Sequence, residues 1–208
     1  MLLPADVAAI AERLATNLPG EVAHLEMLPY REATSDLLKT ASDYRESAVA
    51  ILLYHENNSL KTVLIERPKY DGTHSGQMAF PGGKKDESDP DLVFTALREM
   101  HEEIGFHNPN IHFVGSLTKV YIPVSRFLVY PNVFYSPFVY PFTPDKHEVA
   151  DIITFGLEEL TNSENLSSIK IKLDNGVTIE NIPCFKIQNR IIWGATALIM
   201  NELRMILK

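Results

Sequence analysis

The chain reads as one α/β unit, with helices on both faces of a mixed β-sheet, and three observations predict it. Short apolar runs suited to strands recur at residues 46–54 (ESAVAILLY), 61–67 (KTVLIER), 111–120 and 127–138. Amphipathic segments with the 3.6-residue period of helices stand at 4–18, 89–105 and 196–207. Turn chemistry separates these runs, as at Pro19-Gly20, His55 to Ser59 and Asp174-Asn175-Gly176. Helices distributed around strands in this way pack against the faces of a sheet.

Taken in order, residues 4–18 place Val7, Ile10, Ala11 and Leu14 on one side of a helix, and Pro19-Gly20 ends it. Residues 21–44 are mixed and polar and are expected to wrap the domain as loop. Residues 1–44 therefore read as a helix and wrapping loop of the same domain that 45–208 build. The runs 46–54 and 61–67 pair as a hairpin. Residues 69–79 lead into Phe80-Pro81-Gly82-Gly83, where paired glycines let backbone approach a metal or phosphate without a Cβ in the way. After the helix at 89–105, strands follow at 111–120 and 127–138, with Pro131 and Pro137 marking edges or bends. A loop from 140 to 147 ends at Glu148, ahead of a strand at 151–155. Residues 169–173 and 178–187 form a second hairpin across Asp174-Asn175-Gly176. A short strand at 191–193 precedes the last helix, whose Leu198, Met200, Leu203 and Leu207 read as core.

The helix at 89–105 carries the chemistry. Asp89 suits its N-cap, Pro90 its first position, and Gly105 its left-handed stop. Val93, Ala96, Leu97, Met100 and Ile104 gather on one face, whereas Glu99, Glu102 and Glu103 fall together on the other. That acidic face opposes two rules at once. Glu99 repels Glu102 and Glu103 at i,i+3 and i,i+4. Glu102 and Glu103 also occupy the last turn, where the helix dipole disfavours negative charge. A solvated acidic face is the plain alternative, but a cation would relieve both conflicts, and clustered carboxylates suit a hard ion such as Mg²⁺.

The stretch Arg98-Glu99-Met100-His101-Glu102-Glu103-Ile104-Gly105-Phe106 resembles the C-terminal half of the Nudix box at every fixed position. In the N-terminal half, Gly83 is followed after five residues by Asp89 where the pattern has Glu, and eight residues rather than seven separate Asp89 from Arg98. Asp89 is accordingly assigned to capping. Upstream, Leu64-Ile65-Glu66-Arg67 and residues 74–83 (HSGQMAFPGG) resemble the additional signature of the coenzyme A pyrophosphatase branch of Nudix hydrolases. Ile192-Trp193-Gly194-Ala195-Thr196-Ala197 resembles the segment that opens that branch's last helix. The resemblance covers roughly Arg45 to Leu207. Two positions depart from the branch: Pro68 stands where Ser or Ala is usual, and Gly72 where a second Arg is usual.

The resemblance implies a Nudix-like α/β/α sandwich with a mixed β-sheet and metal-dependent hydrolysis of a nucleoside diphosphate-X substrate. Mg²⁺ or Mn²⁺ would sit on Glu99, Glu102 and Glu103, with the Gly83 carbonyl available. The general base would be Glu103 or Glu148, since enzymes of this kind often take a Glu from such a late loop. Arg98 would orient a carboxylate of the box. Arg67, Lys69, His74 and Gly82 are the candidates for substrate contact, His74 suiting a phosphate or plain solvent equally. Coenzyme A or acyl-coenzyme A is the first substrate, ADP-ribose or a related dinucleotide the second. A nucleotide sensor without catalysis is the reading from another class, and the intact carboxylates oppose it.

Composition sets outer bounds. The 208 residues are 45% hydrophobic and 22% charged, ordinary globular values. A net charge of −8 leaves no basic surplus for nucleic acid or an anionic membrane. The partner expected is a small nucleotide-type molecule, with room for a homodimer. Cys184 is the only cysteine, so no intrachain disulfide can form and a reducing compartment is comfortable. With no signal-like or spanning segment read, the expected location is the cytoplasm.

Overall fold

A computed structural model describes residues 2–29, 31–69, 75–172 and 178–208. Helices α1 (Ala5–Thr16), α2 (Glu21–Met27) and α3 (Thr34–Thr40) come first. Strands β1 (Arg45–Glu56), β2 (Ser59–Glu66), β3 (Met78–Ala79) and β4 (Gly82–Lys84) follow, then α4 (Leu92–Ile104). The chain continues through β5 (His112–Ser116), β6 (Val120–Ile122), β7 (Phe127–Ser136), β8 (Asp151–Gly156) and α5 (Glu158–Thr161). Strands β9 (Leu166–Lys172), β10 (Thr178–Ile187) and β11 (Arg190–Ile192) precede the last helix, α6 (Gly194–Leu207).

Among the described residues, β1 to β8 form one mixed sheet in which β1 pairs parallel with β7 and antiparallel with β2 and β4. Strands β9, β10 and β11 form a separate antiparallel sheet. β1 explains the layering. It is buried on both faces, so its sequence is a continuous apolar run rather than an alternating one. Ala48, Ala50, Leu52 and Tyr54 face Ala96, Met100 and Ile104 of α4. Ile51 and Leu53 join the opposite core with Val7 and Ile10 of α1 and Leu198 and Leu203 of α6. The result is the α/β/α sandwich that the sequence predicts.

Two expectations need correction. Residues 21–44 are not only wrapping loop, because α2 and α3 lie within them. Each helix has seven residues, too few to show periodicity or to persist alone, and α2 is held by packing. Ala23, His24 and Met27 are buried, and Asn201 Nδ2 on α6 donates to the Ala23 carbonyl at 2.7 Å. Asp89 is not the cap of α4. Asp91 is, its side chain accepting the Phe94 N–H at 2.8 Å. The turn expected at Asp174-Asn175-Gly176 lies outside the described residues, although the strands it joins do pair antiparallel.

Candidate active site

The site is built where α4 crosses the middle of the large sheet. β4 pairs with β1 through Ala48↔Gly83 and Val49↔Gly82, which carries the glycine pair beneath α4. A Cβ on Gly83 would fall on the Glu99 carboxylate, so only glycine lets the two approach. The Gly82 N–H donates to Glu103 Oε2 at 2.8 Å. At the far end of α4, Gly105 takes the left-handed conformation, with φ of 66°, and stops the helix as expected.

The three glutamates are not one exposed face. Glu103 is 2% exposed and lies on the buried side of α4, whereas the Glu102 side chain is 54% exposed and Glu99 lies between. The helical angles that group them hold, but the sheet and the 140–150 loop cover only one edge of the group. Burial pushes the Glu103 carboxyl up to about 8, against the Gly82 hydrogen bond and the charge of Arg67, with Glu99 and Glu148 adding to the rise. Burial also raises Glu99, despite its contact with Arg98.

Arg98 organises the exposed part. Its Nε and Nη2 form a fork on Asp89, at 3.0 Å to Oδ1 and 2.9 Å to Oδ2. Its Nη1 reaches Glu99 at 2.8 Å and Glu102 at 2.9 Å, and Nη2 also donates to the Lys84 carbonyl. Asp89 is buried, accepts further from Thr95 Oγ1 and the Asp86 N–H, and is held well below the usual carboxylate range, chiefly by Arg98. The residue read as a cap is thus the anchor of the arginine, and the one-residue expansion between them is absorbed ahead of α4. Spacing alone gave no sign of this pairing.

Glu148 comes to the same place from another element. The Thr143 N–H donates to the Ile104 carbonyl at 2.8 Å, and the Asp145 N–H to the Glu103 carbonyl at 3.0 Å. These bonds satisfy the last turn of α4 and pin the loop that carries Glu148. Glu148 is exposed, and its charge reaches both Glu99 and Glu103. Arg67 follows β2, closes a narrow stem with its N–H on the Gln77 carbonyl, and lies within electrostatic reach of Glu103. Lys69 is exposed beyond that stem, beside Gly76. His74 and Gly72 lie outside the described residues.

The donor set is all oxygen and suits a hard divalent cation. Among the described residues no three acidic or imidazole groups are yet drawn together around one point, because Glu99 and Glu102 turn to Arg98. Burial nevertheless disfavours the charged form of Glu103, with only Arg67 and one N–H to offset it, a deficit that a cation would meet. Glycine at position 83 lets the Glu99 carboxylate lie close against the backbone there. The residues fit a metal on these grounds.

A sequence profile of the NUDIX domain matches residues 43–173. Over 141 residues the chain is 33% identical to the uncharacterized Nudix hydrolase NudL of Yersinia pestis (strain Pestoides F), covering 68% of this chain and 69% of that protein. NudL of Yersinia pseudotuberculosis serotype O:1b (strain IP 31758) matches to the same extent. Among solved structures, a MutT/nudix family protein from Enterococcus faecalis aligns with 100% of this chain and 73% of its own, at 17% identity and a TM-score of 0.48.

Proposed function

The chain belongs to the Nudix hydrolase family and is a pyrophosphohydrolase, and from that premise we propose that it cleaves the diphosphate bond of coenzyme A or acyl-coenzyme A. Water would add to one phosphorus, and the bond to the bridging oxygen would break, giving (acyl-)4′-phosphopantetheine and adenosine 3′,5′-bisphosphate. The observation that carries the substrate is the meeting of the two signature segments far apart in sequence. Thr196 of the IWGATA segment donates through Oγ1 to the Met78 carbonyl, four residues before Gly82, at 2.9 Å. The IWGATA segment is thereby tied to the stretch that ends in Gly82 and Gly83, which meet Glu103 and Glu99.

Nudix hydrolases use divalent metal ions, and Glu99, Glu102, Glu103 and the Gly83 carbonyl would hold Mg²⁺ or Mn²⁺ here. Such an ion supplies positive charge to the diphosphate and acidifies a bound water. The chain's own residues then position and deprotonate. Gly82 fixes the Glu103 carboxylate through its N–H, and Asp89 and Arg98 fix Glu99 and Glu102. Glu103 or Glu148 accepts the proton from water. Arg67, whose charge already reaches Glu103, faces the diphosphate, and Lys69 lies further along the same segment. No Ser or Cys nucleophile is needed, because positioning and charge carry this reaction. We place the enzyme in the cytoplasm, where Cys184 stays a buried thiol.

The test is a hydrolysis panel of coenzyme A, dephospho-coenzyme A, ADP-ribose, NADH and diadenosine polyphosphates with Mg²⁺ and with Mn²⁺. Coenzyme A should be cleaved. The arginine missing at Gly72 predicts that kcat/KM for coenzyme A exceeds that for dephospho-coenzyme A by about tenfold at most, equivalent to about 1.4 kcal/mol. Cleavage of ADP-ribose with neither coenzyme touched would replace this substrate with the second one.

A further inference from the structure

The C-terminal hairpin reaches the segments that carry Arg67 and Glu148 through the side chains of its turn. Between β10 and β11, Gln188 and Asn189 both take left-handed backbone, with φ of 49° and 61°, in a two-residue turn closed by Ile187↔Arg190. Gln188 Nε2 ties that turn to β8, donating to the Thr154 carbonyl at 2.8 Å. The next residue of the hairpin, Arg190, is thereby set between two carboxylates. Its Nη2 donates to Asp151 Oδ2 at 2.6 Å, and its Nε lies 3.1 Å from Glu66 Oε2, off the axis of a hydrogen bond.

Those two acids mark the ends of the segments that carry chemistry. Glu66 is the last residue of β2, immediately before Arg67, and Asp151 is the first of β8, three residues after Glu148. The segments already touch, the Ala150 N–H donating to the Glu66 carbonyl at 2.8 Å. That bond ends the β2–β8 ladder, which runs from Lys61↔Gly156 to Glu66↔Asp151, and Arg190 bridges the side chains of the last pair where Arg67 and Glu148 lead away from it. We propose that Arg190, which lies outside the matched Nudix profile, is a positioning residue that fixes Arg67 and Glu148 relative to each other. The proposal rests on the reading of Arg67 and Glu148 as site residues.

The Arg190 and Asp151 side chains are 38% and 49% exposed, so the pairing adds little to global stability. Its effect lies in geometry, where a small misplacement of reacting groups lowers turnover by up to about a hundredfold. This separates positioning from a merely structural role. With whichever of coenzyme A or ADP-ribose the wild-type protein cleaves, Arg190→Met should lower kcat about tenfold or more at nearly unchanged KM and Tm. Arg190→Lys keeps the charge but not the fork, and should fall between. In the substrate-free protein, amide exchange of residues 66–69 and 148–152 should quicken in Arg190→Met while α4 and β1 stay protected. A kcat within twofold of wild type overturns the proposal, as does a loss that follows a fall in Tm. If the wild type cleaves neither substrate, the substrate reading fails by itself. The exchange measurement then decides, unchanged rates in both segments overturning the brace.

Discussion

Asp89 and Arg98 are locked in a two-pronged ion pair, Nε to Oδ1 at 3.0 Å and Nη2 to Oδ2 at 2.9 Å, with the Asp89 side chain fully buried. From this pair Arg98 extends its remaining nitrogen to Glu99 and Glu102. The carboxylate cluster is therefore steadied from beneath by a residue that touches none of it.

Asp89→Asn keeps the shape but leaves Arg98 without its charged anchor. Removing one member of a buried pair costs about 3 kcal/mol, and Asp89→Asn should lose stability on that scale in urea unfolding. Asp89 has a depressed pKa, so its contribution is present above the ordinary carboxylate range and is lost as pH falls toward its folded value. Wild type should therefore lose more stability than Asp89→Asn in strong acid. Parallel acid profiles would show that the pair contributes nothing.

Glu103 titrates the other way. Its carboxyl is pushed up to about 8, so the folded protein holds a proton that the unfolded chain has released. Metal-free stability is complete below the ordinary Glu range and declines as pH rises toward 8, by a few kcal/mol at most, on the order of one per unit of pH. Glu103→Gln should remove that decline, melt no lower than wild type at pH 8, and cut turnover by orders of magnitude. A metal-free Glu103→Gln protein melting clearly below wild type would refute the buried-charge argument.

Glu148 separates the two candidate bases. It is exposed on a pinned loop, so Glu148→Gln should fold normally and keep most of its Mn²⁺ affinity in calorimetric titration. If Glu148 takes the proton, the acid limb of the pH–rate profile flattens in this variant. A profile of wild-type shape assigns the base to Glu103.

Gly83→Ala tests the close approach beneath α4. The added Cβ would displace the Glu99 carboxylate, so Mn²⁺ affinity and kcat/KM should each fall about tenfold or more, with the helix itself intact by circular dichroism. Unchanged affinity would remove Glu99 and Gly83 from the metal site.

Whatever local periodicity or a single residue's conformational freedom decides could be read from the order of residues alone. The doubly buried run of β1, the stop of α4 at Gly105, and the grouping of Glu99, Glu102 and Glu103 all follow from side-chain spacing or single-residue conformation along a strand or helix. The C-terminal half of the Nudix box could be read for the same reason, since its glutamates lie within one helix. Tertiary structure decided which of those carboxylates is buried, because helical angles fix directions around an axis but not which direction the sheet and loop will cover. It likewise turned Asp89 from a presumed cap into the anchor of Arg98, and made helices of two seven-residue segments that have no stability alone. Arg190 was the least legible. Its partners Glu66 and Asp151 lie 124 and 39 residues away, and only the closing of two sheets brings a pair so distant in the chain within reach of one guanidinium.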